Sequence, residues 1–147
     1  MSVQILTEPF NPWNAIEQHQ SEAFGERADY GATASFVGTM RDFNEGDGVR
    51  GMVLEHYPGM TEGYLQDISR QAKERWSILE TLIVHRVGPL KPTDPIVLVS
   101  VWSAHRKDAF EACRWLMEEL KSNAPFWKRE TLDDDSNRWV ENNTAGY

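Results

Sequence analysis

The chain has 147 residues, 40% of them hydrophobic, with six Trp and six Phe, which is the composition of a folded protein with one substantial core and excludes a disordered segment. A formal net charge of −8 and a pI near 5.0 exclude a general nucleic-acid binder, because phosphate neutralisation needs a broad basic surface. Cys113 is the single cysteine, so no intrachain disulfide can form, and no stretch approaches the roughly 18 consecutive apolar residues of a membrane span.

The N-terminal SVQILTEPFNPWN lacks the basic and apolar regions of a secretory signal, so a cytoplasmic protein is expected. No low-complexity linker or internal repeat divides the sequence, which is expected to form a single domain over residues 1–147. Val3 to Leu6 reads as a short strand. A helix starts at Asn11-Pro12, with Asn as N-cap and Pro at the first helical position. Gly31 to Val37 reads as a strand, with Val49 to His56 as its partner, and the polar, glycine-rich RDFNEGDG between them as a mobile hairpin loop. Thr61 is expected to cap a helix whose apolar residues Leu65, Ile68, Ala72 and Trp76 recur at intervals of three and four.

Two strands follow, Thr81 to Arg86 and Ile96 to Trp102, separated by the turn GPLKPTDP. A second helix is expected from about Ala104 to Asn123, burying Ala109, Phe110, Cys113, Leu116, Met117 and Leu120, and stopped by Pro125. Trp127 to Thr131 and Arg138 to Glu141 read as short strands around the acidic turn DDDSN. Strands paired before each helix, without strict alternation, predict an α+β fold with a mostly antiparallel sheet packed with helices.

Charge is unevenly distributed. Between Thr81 and Glu130 the chain carries eight Lys/Arg against six Asp/Glu, a local excess of +2 in an acidic protein. Such a region suits a small anion better than a polyanion. The strand ending at Trp102 runs into Ser103 and a helix whose first turn holds His105 and Arg106, where exposed N–H groups and the helix dipole favour an anion. A guanidinium that can grip two phosphate oxygens strengthens that reading. A solvated face, with Arg106 and Lys107 paired to Asp108 or Glu111, accounts for the same pattern.

Lys121 closes the helix, and Lys128-Arg129 follow seven residues later, beyond a proline and two aromatics. Neighbouring positive charge depresses a lysine pKa and makes it a better proton donor and acceptor near neutrality. A lysine in the last turn is equally a plain dipole partner. His105 and Lys121 are sixteen positions apart, roughly 24 Å along a straight helix. If both ends serve one small ligand, the simplest solution is a symmetric dimer with each pocket built from two chains. Arg41 borders the glycine-rich loop, as functional residues do and as surface arginines also do. HYPGM reads as a rigid strand-to-helix turn. The four histidines and Cys113 show no zinc-like spacing, and no Walker or Rossmann glycine motif is present, so neither metal nor cofactor is expected.

FVGTMR, LEHYPGMTE, HRVGPL, SAHRKDAFEA and LKSNAPFWKRE occur in this order, and together they resemble the family of large, catalytic subunits of molybdopterin synthase. The resemblance runs from about Gly31 to Glu141. It implies an α/β-hammerhead-type fold and a homodimer core, each large subunit binding a small ubiquitin-like sulfur-carrier subunit to give a heterotetramer. In that family the carrier's C-terminal Gly-Gly tail, as a thiocarboxylate, supplies two sulfurs to cyclic pyranopterin monophosphate and so forms the molybdopterin dithiolene. Carried over by motif, Lys121 is the main catalytic lysine and Lys128 assists it. Arg41, with Thr39 and Met40, lines the substrate pocket. His105 and Arg106 bind phosphate or pterin from the partner chain, and Arg129 and Glu130 complete the pocket wall or its scaffold. The tail NNTAGY is short and uncharged where relatives often continue with basic residues, so no substrate contact is carried over to it. Two other readings fit the bare residues: a non-enzymatic module that binds a phosphorylated metabolite or a protein C-terminus, and a different sulfur- or acyl-transfer enzyme.

Overall fold

The computed structural model describes residues 1–141 and Gly146. The centre of the fold is an antiparallel pair, β5 (Ile78–Arg86) and β7 (Pro95–Ser103), aligned Ile83↔Val99 and Val84↔Leu98. Both strands are buried on both faces, which is why IVLVSVW is apolar at every position but Ser100 and does not alternate. β1 (Ser2–Leu6) adds parallel to β5, and β2 (Ala32–Thr39) adds antiparallel to β7, giving the order β1-β5-β7-β2.

Strand alternation sends Ile83, Val97, Val99 and Val101 to one face, where they pack under α2 (Met60–Arg75) and α3 (Arg106–Asn123) through Leu65, Ile68, Ala72, Ala112, Leu116 and Leu120. Leu82, Val84, Leu98 and Trp102 point the other way, onto α1 (Pro12–Phe24). α1 begins as its sequence requires: the Asn11 side chain accepts from the N–H groups of Trp13 and Asn14, and Pro12 occupies the first turn.

A second, antiparallel sheet is built on β4 (Asp47–His56), flanked by β3 (Phe43–Asn44), β6 (Gly88–Leu90) and β8 (Phe126–Leu132), with β9 (Asn137–Trp139) outside β8. Its core is Met40, Val49, Met52, Leu54, Val87 and Leu90. Met40 joins the two sheets: its N–H donates to the Asp94 carbonyl and its own carbonyl accepts from Thr93 N–H, both at 2.9 Å. Thr93 holds a φ of 78°, a rare conformation for a β-branched residue.

The α+β class and the mostly antiparallel pairing agree with the sequence, and four details differ. Gly31–Val37 does not pair with Val49–His56. β2 lies on β7, because Ala34 faces the core under α3, and β4 takes β8 as its partner instead. RDFNEGDG is not the loop of a hairpin between those two strands but contains a tight one of its own: Phe43-Asn44 pair with Asp47-Gly48 around Glu45 and Gly46, both at positive φ (50° and 81°), the signature of a two-residue hairpin. Thr61 does not cap α2. Gly59 does, with Glu62 accepting from its N–H at 2.7 Å, while buried Thr61 accepts from Tyr57 N–H and donates to the Pro125 carbonyl. Phe110 is 66% exposed, because it lies about 100° around the helix from Ala109 and so leaves the buried stripe of Ala109, Ala112, Cys113 and Leu116. The tail other than Gly146, to which no substrate contact was assigned, lies outside the described residues.

These contrasts fix an outcome for mutation. Leu116→Ala should lower the unfolding free energy by about 2–5 kcal/mol, whereas Phe110→Ala should change it by less than about 1 kcal/mol, both read by urea titration.

Candidate active site

Three segments meet where the two sheets adjoin. α3 ends there and delivers Lys121 from its last turn. On β8, Phe126, Lys128 and Glu130 share one face by the two-residue period. The end of β2 supplies Thr39, and the segment after it, pinned through Met40, supplies Met40 and Arg41. Together with Phe43, Asn44, Met52, Ile96 and Val140, the side chains of Thr39, Met40, Arg41, Lys121, Lys128 and Glu130 line a cleft of about 140 Å³.

The electrostatics of this cleft are dominated by like charges held close. Lys121 is half-buried, and its pKa is pushed down to about 8, first by burial, then by the charge of Lys128 and their mutual hydrogen bond, then by Arg41. Lys128 is also lowered by burial and by Arg41, but the hydrogen bond with Lys121 and the carboxylate of Glu130 pull it back up. The two amines therefore have unlike surroundings: Lys121 is lowered by burial, Lys128 and Arg41, whereas Glu130 offsets part of the lowering at Lys128. Glu130 is only 6% exposed and is held by two donors, Asn44 at 3.0 Å and Arg138 Nε at 3.1 Å. The same guanidinium reaches Asp47 at 2.8 Å and the Asn44 carbonyl at 2.9 Å, so it ties β9 to the hairpin. The Arg41 guanidinium lies 4.8 Å from the centre of the Phe43 ring.

Behind the lysines is a buried histidine. His85 has its pKa lowered to about 3, first by desolvation, and its Nδ1 is 2.7 Å from the Arg86 carbonyl. The charges of Lys121 and Lys128 also hold it down.

Lys121 lies at a boundary, because a second depression of about 580 Å³ also ends on it. That groove runs along α3 and β2, with Ala34, Phe36, Phe110, Cys113 and Met117 among its walls. Burial pushes the Cys113 thiol up to about 11.

Six of the nine sequence-derived site residues converge on the cleft: Thr39, Met40, Arg41, Lys121, Lys128 and Glu130. His105 and Arg106 are exposed at the opposite end of α3 and do not reach it within one chain. Arg129 points away from Lys128, as alternation demands, and lies 6.0 Å from the Trp139 ring. Sequence reasoning missed Asn44 and Arg138, which sit in polar segments with no motif. It also missed His85, although a His-Arg pair ending an apolar strand is a visible oddity. Among the described residues, no group of three His, Cys, Asp or Glu is gathered as a metal site, and no helix is long and apolar enough to cross a membrane.

The shifted lysine fixes how stability depends on pH. Folding lowers the Lys121 pKa from 10.5 to about 8, so between those values the unfolded chain binds more protons and stability rises with pH. Lys121→Met should therefore be more stable than the parent at pH 7, by about 1–2 kcal/mol once partial solvation of the ammonium is allowed for. Urea titrations from pH 7 to 10.5 should show that advantage disappearing.

The MoaE protein model matches residues 6–123. A molybdopterin synthase catalytic subunit from Ralstonia nicotianae is 54% identical over 115 residues, covering 78% of this chain and 65% of that protein. Its counterpart from Pseudomonas aeruginosa is 45% identical over 141 residues, covering 96% of this chain and 91% of its own length. The crystal structure of molybdopterin synthase from Staphylococcus aureus superposes with a TM-score of 0.82 at 34% identity, covering 95% of this chain and 96% of that one. With the family model matching residues 6–123 and a catalytic subunit 45% identical to it over 96% of its length, the chain belongs to the MoaE protein family.

Proposed function

We propose that the chain works as the catalytic subunit of a molybdopterin synthase, a cytoplasmic sulfurtransferase that forms the dithiolene of molybdopterin from cyclic pyranopterin monophosphate. The observation that carries this reading is the unlike lysine pair, with Lys121 near pKa 8, at the junction of a cationic cleft and an apolar groove. The cleft suits an anionic cyclic phosphate, with Arg41, Lys121 and Lys128 offering charge in a partly desolvated site. The groove along α3 and β2 suits the extended C-terminal tail of a small ubiquitin-like sulfur carrier, whose terminal thiocarboxylate would arrive beside Lys121.

In this reading the thiocarboxylate sulfur attacks a side-chain carbon of the pterin, and the cations offset charge as the cyclic phosphate opens. Lys128 holds the anion in place. Lys121 exchanges a proton near neutrality and stabilises the carrier carbonyl as water adds to the resulting thioester and its acyl–sulfur bond breaks, which leaves the sulfur on the pterin and releases the carrier as a carboxylate. Glu130, fixed by Asn44 and Arg138, keeps Lys128 charged. Thr39 and Met40 shape the wall beside Arg41.

A single-turnover assay with thiocarboxylated carrier and cyclic pyranopterin monophosphate tests the assignment. Lys121→Ala should lose at least about 100-fold in rate while still binding carrier. Near-normal turnover would refute the lysine's role. Tight binding of both ligands by the parent, with no dithiolene formed, would favour a binding module.

His105 and Arg106 enter through a second copy of the chain in a homodimer, each pocket borrowing the far end of its neighbour's α3. Arg106→Ala and Lys121→Ala chains, each inactive alone, should then recover about a quarter of parental activity when mixed and reassociated, because half the dimers are mixed and each mixed dimer has one intact pocket. No recovery from dimers shown to exchange would place Arg106 outside the shared site.

A further inference from the structure

The cleft contains one exposed aromatic ring that the roles assigned so far do not use. Phe43 lines it from β3 and is 53% exposed, in a segment, RDFNEGDG, whose other side chains are all polar. A phenyl ring left half in water forfeits much of what its burial would contribute. What the ring does touch is a cation: the Arg41 guanidinium lies over it, 4.8 Å from its centre. Both residues stand on fixed backbone. Met40, just before Arg41, is hydrogen-bonded to Thr93 and Asp94, and between Arg41 and Phe43 the Asp42 carbonyl accepts from Val49 N–H at 2.8 Å. Just after Phe43, the Asn44 carbonyl accepts from Arg138 at 2.9 Å.

The company that Arg41 lacks matters as much. Among the described residues its guanidinium makes no hydrogen bond or ion pair. Arg27 also stacks, 5.1 Å from the centre of the Phe24 ring, but it gives hydrogen bonds to Asp29 at 3.2 and 2.7 Å. Near Arg41 the carboxylates are otherwise engaged: Asp47 of the same hairpin and Glu130 of the cleft wall are both taken by Arg138. A carboxylate holding an arginine offsets its charge and occupies its donors. A ring face orients the guanidinium and leaves charge and N–H groups for a ligand.

We propose that Phe43 is a positioning residue for Arg41, its ring holding the guanidinium at the cleft so that the N–H fork is presented to the phosphate of the substrate. That the anion is the substrate's cyclic phosphate rests on the sulfur-transfer reading above. The hold on Arg41 does not, and it is open to measurement without substrate.

Two substitutions separate the ring from its bulk: Phe43→Leu keeps an apolar side chain without a π face, and Phe43→Trp offers a stronger face. In NMR spectra of the full chain carrying labelled arginine, the Arg41 side-chain protons should lie upfield, shielded by the ring, in the parent and in Phe43→Trp. In Phe43→Leu they should move to free-arginine positions. Titrated with inorganic phosphate at low ionic strength, Phe43→Leu should bind about two- to fivefold more weakly than the parent, the factor an exposed cation–ring contact is worth, and Phe43→Trp no more weakly than the parent. In an Arg41→Ala chain the Leu substitution should cost nothing further, because the ring then has no guanidinium to hold. Equal phosphate affinity in the parent and Phe43→Leu, or the same loss with and without Arg41, would overturn the proposal. The parent alone decides if a variant does not fold: Arg41 protons at free-arginine positions end the proposal. In the single-turnover assay, the half-saturating concentration of cyclic pyranopterin monophosphate should rise by the same factor in Phe43→Leu. A parent that binds phosphate through Arg41 yet forms no dithiolene would sink the sulfur-transfer reading and leave the hold on Arg41 intact.

Discussion

The seating of α3 across β7 and β2 is the contact on which the site depends. Ala109, Ala112 and Cys113 keep the early turns of that helix close to the sheet, and Leu116, Met117 and Leu120 continue the same stripe to its end. A helix held along its whole length delivers its last turn to a defined place, and that place is beside β8. Lys121 is therefore positioned by the same burial that stabilises the fold. β8 is fixed by its own long ladder to β4, so the two lysines meet from a helix seated on one sheet and a strand of the other. Neither element needs the lysines in order to fold.

Two ammonium groups side by side in a half-buried cleft oppose folding, and the surroundings relieve the conflict unequally. Glu130 and the shared hydrogen bond favour charge on Lys128, while burial and two cationic neighbours disfavour it on Lys121. The result is two residues of the same type in unlike settings, Lys121 pushed down to about 8 and Lys128 lowered by burial but partly restored by Glu130. Environments that push like groups apart in pKa are a recurring way to divide acid–base labour. The carboxylate responsible is itself anchored by Asn44 and Arg138, which brings the β3–β4 hairpin and β9 into the same electrostatic unit.

Much of this was legible in the residues, and the gaps have physical causes. The apolar period of α3 and the proline at 125 placed Lys121 at a helix end, and alternation in FWKRE put Lys128 and Glu130 on one face. What local pattern could not give was partnership between distant strands. β2 and β4 are joined by a short polar segment that invites a hairpin, yet the buried face of Ala34 belongs with Val101 on β7, and that preference is set by α3 far along the chain. Phe110 was misread because an aromatic beside a buried stripe looks apolar from sequence, whereas one helical step carries it to solvent. Arg138 and Asn44 lay in segments whose composition speaks only of solvent, and their role appears only when the hairpin closes against β9. His85 was hidden by its neighbours, since a histidine within an apolar strand reads as core until the lysines are seen beside it.

The groove that meets Lys121 has one further property, and it concerns chemoselectivity. Under the proposed function, a groove that holds an acyl–sulfur tail should contain no competing soft nucleophile, because a thiolate could attack the acyl carbon of the thioester that sulfur transfer forms. Its wall nevertheless contains the chain's single thiol, Cys113. Burial in an apolar setting lifts that thiol to about 11, so at pH 7 only about one in ten thousand molecules carries it as thiolate. The residue that shapes the groove as a small hydrophobe is thereby kept silent as a reagent, and under the proposed function a carrier tail lying there would be left for the lysines.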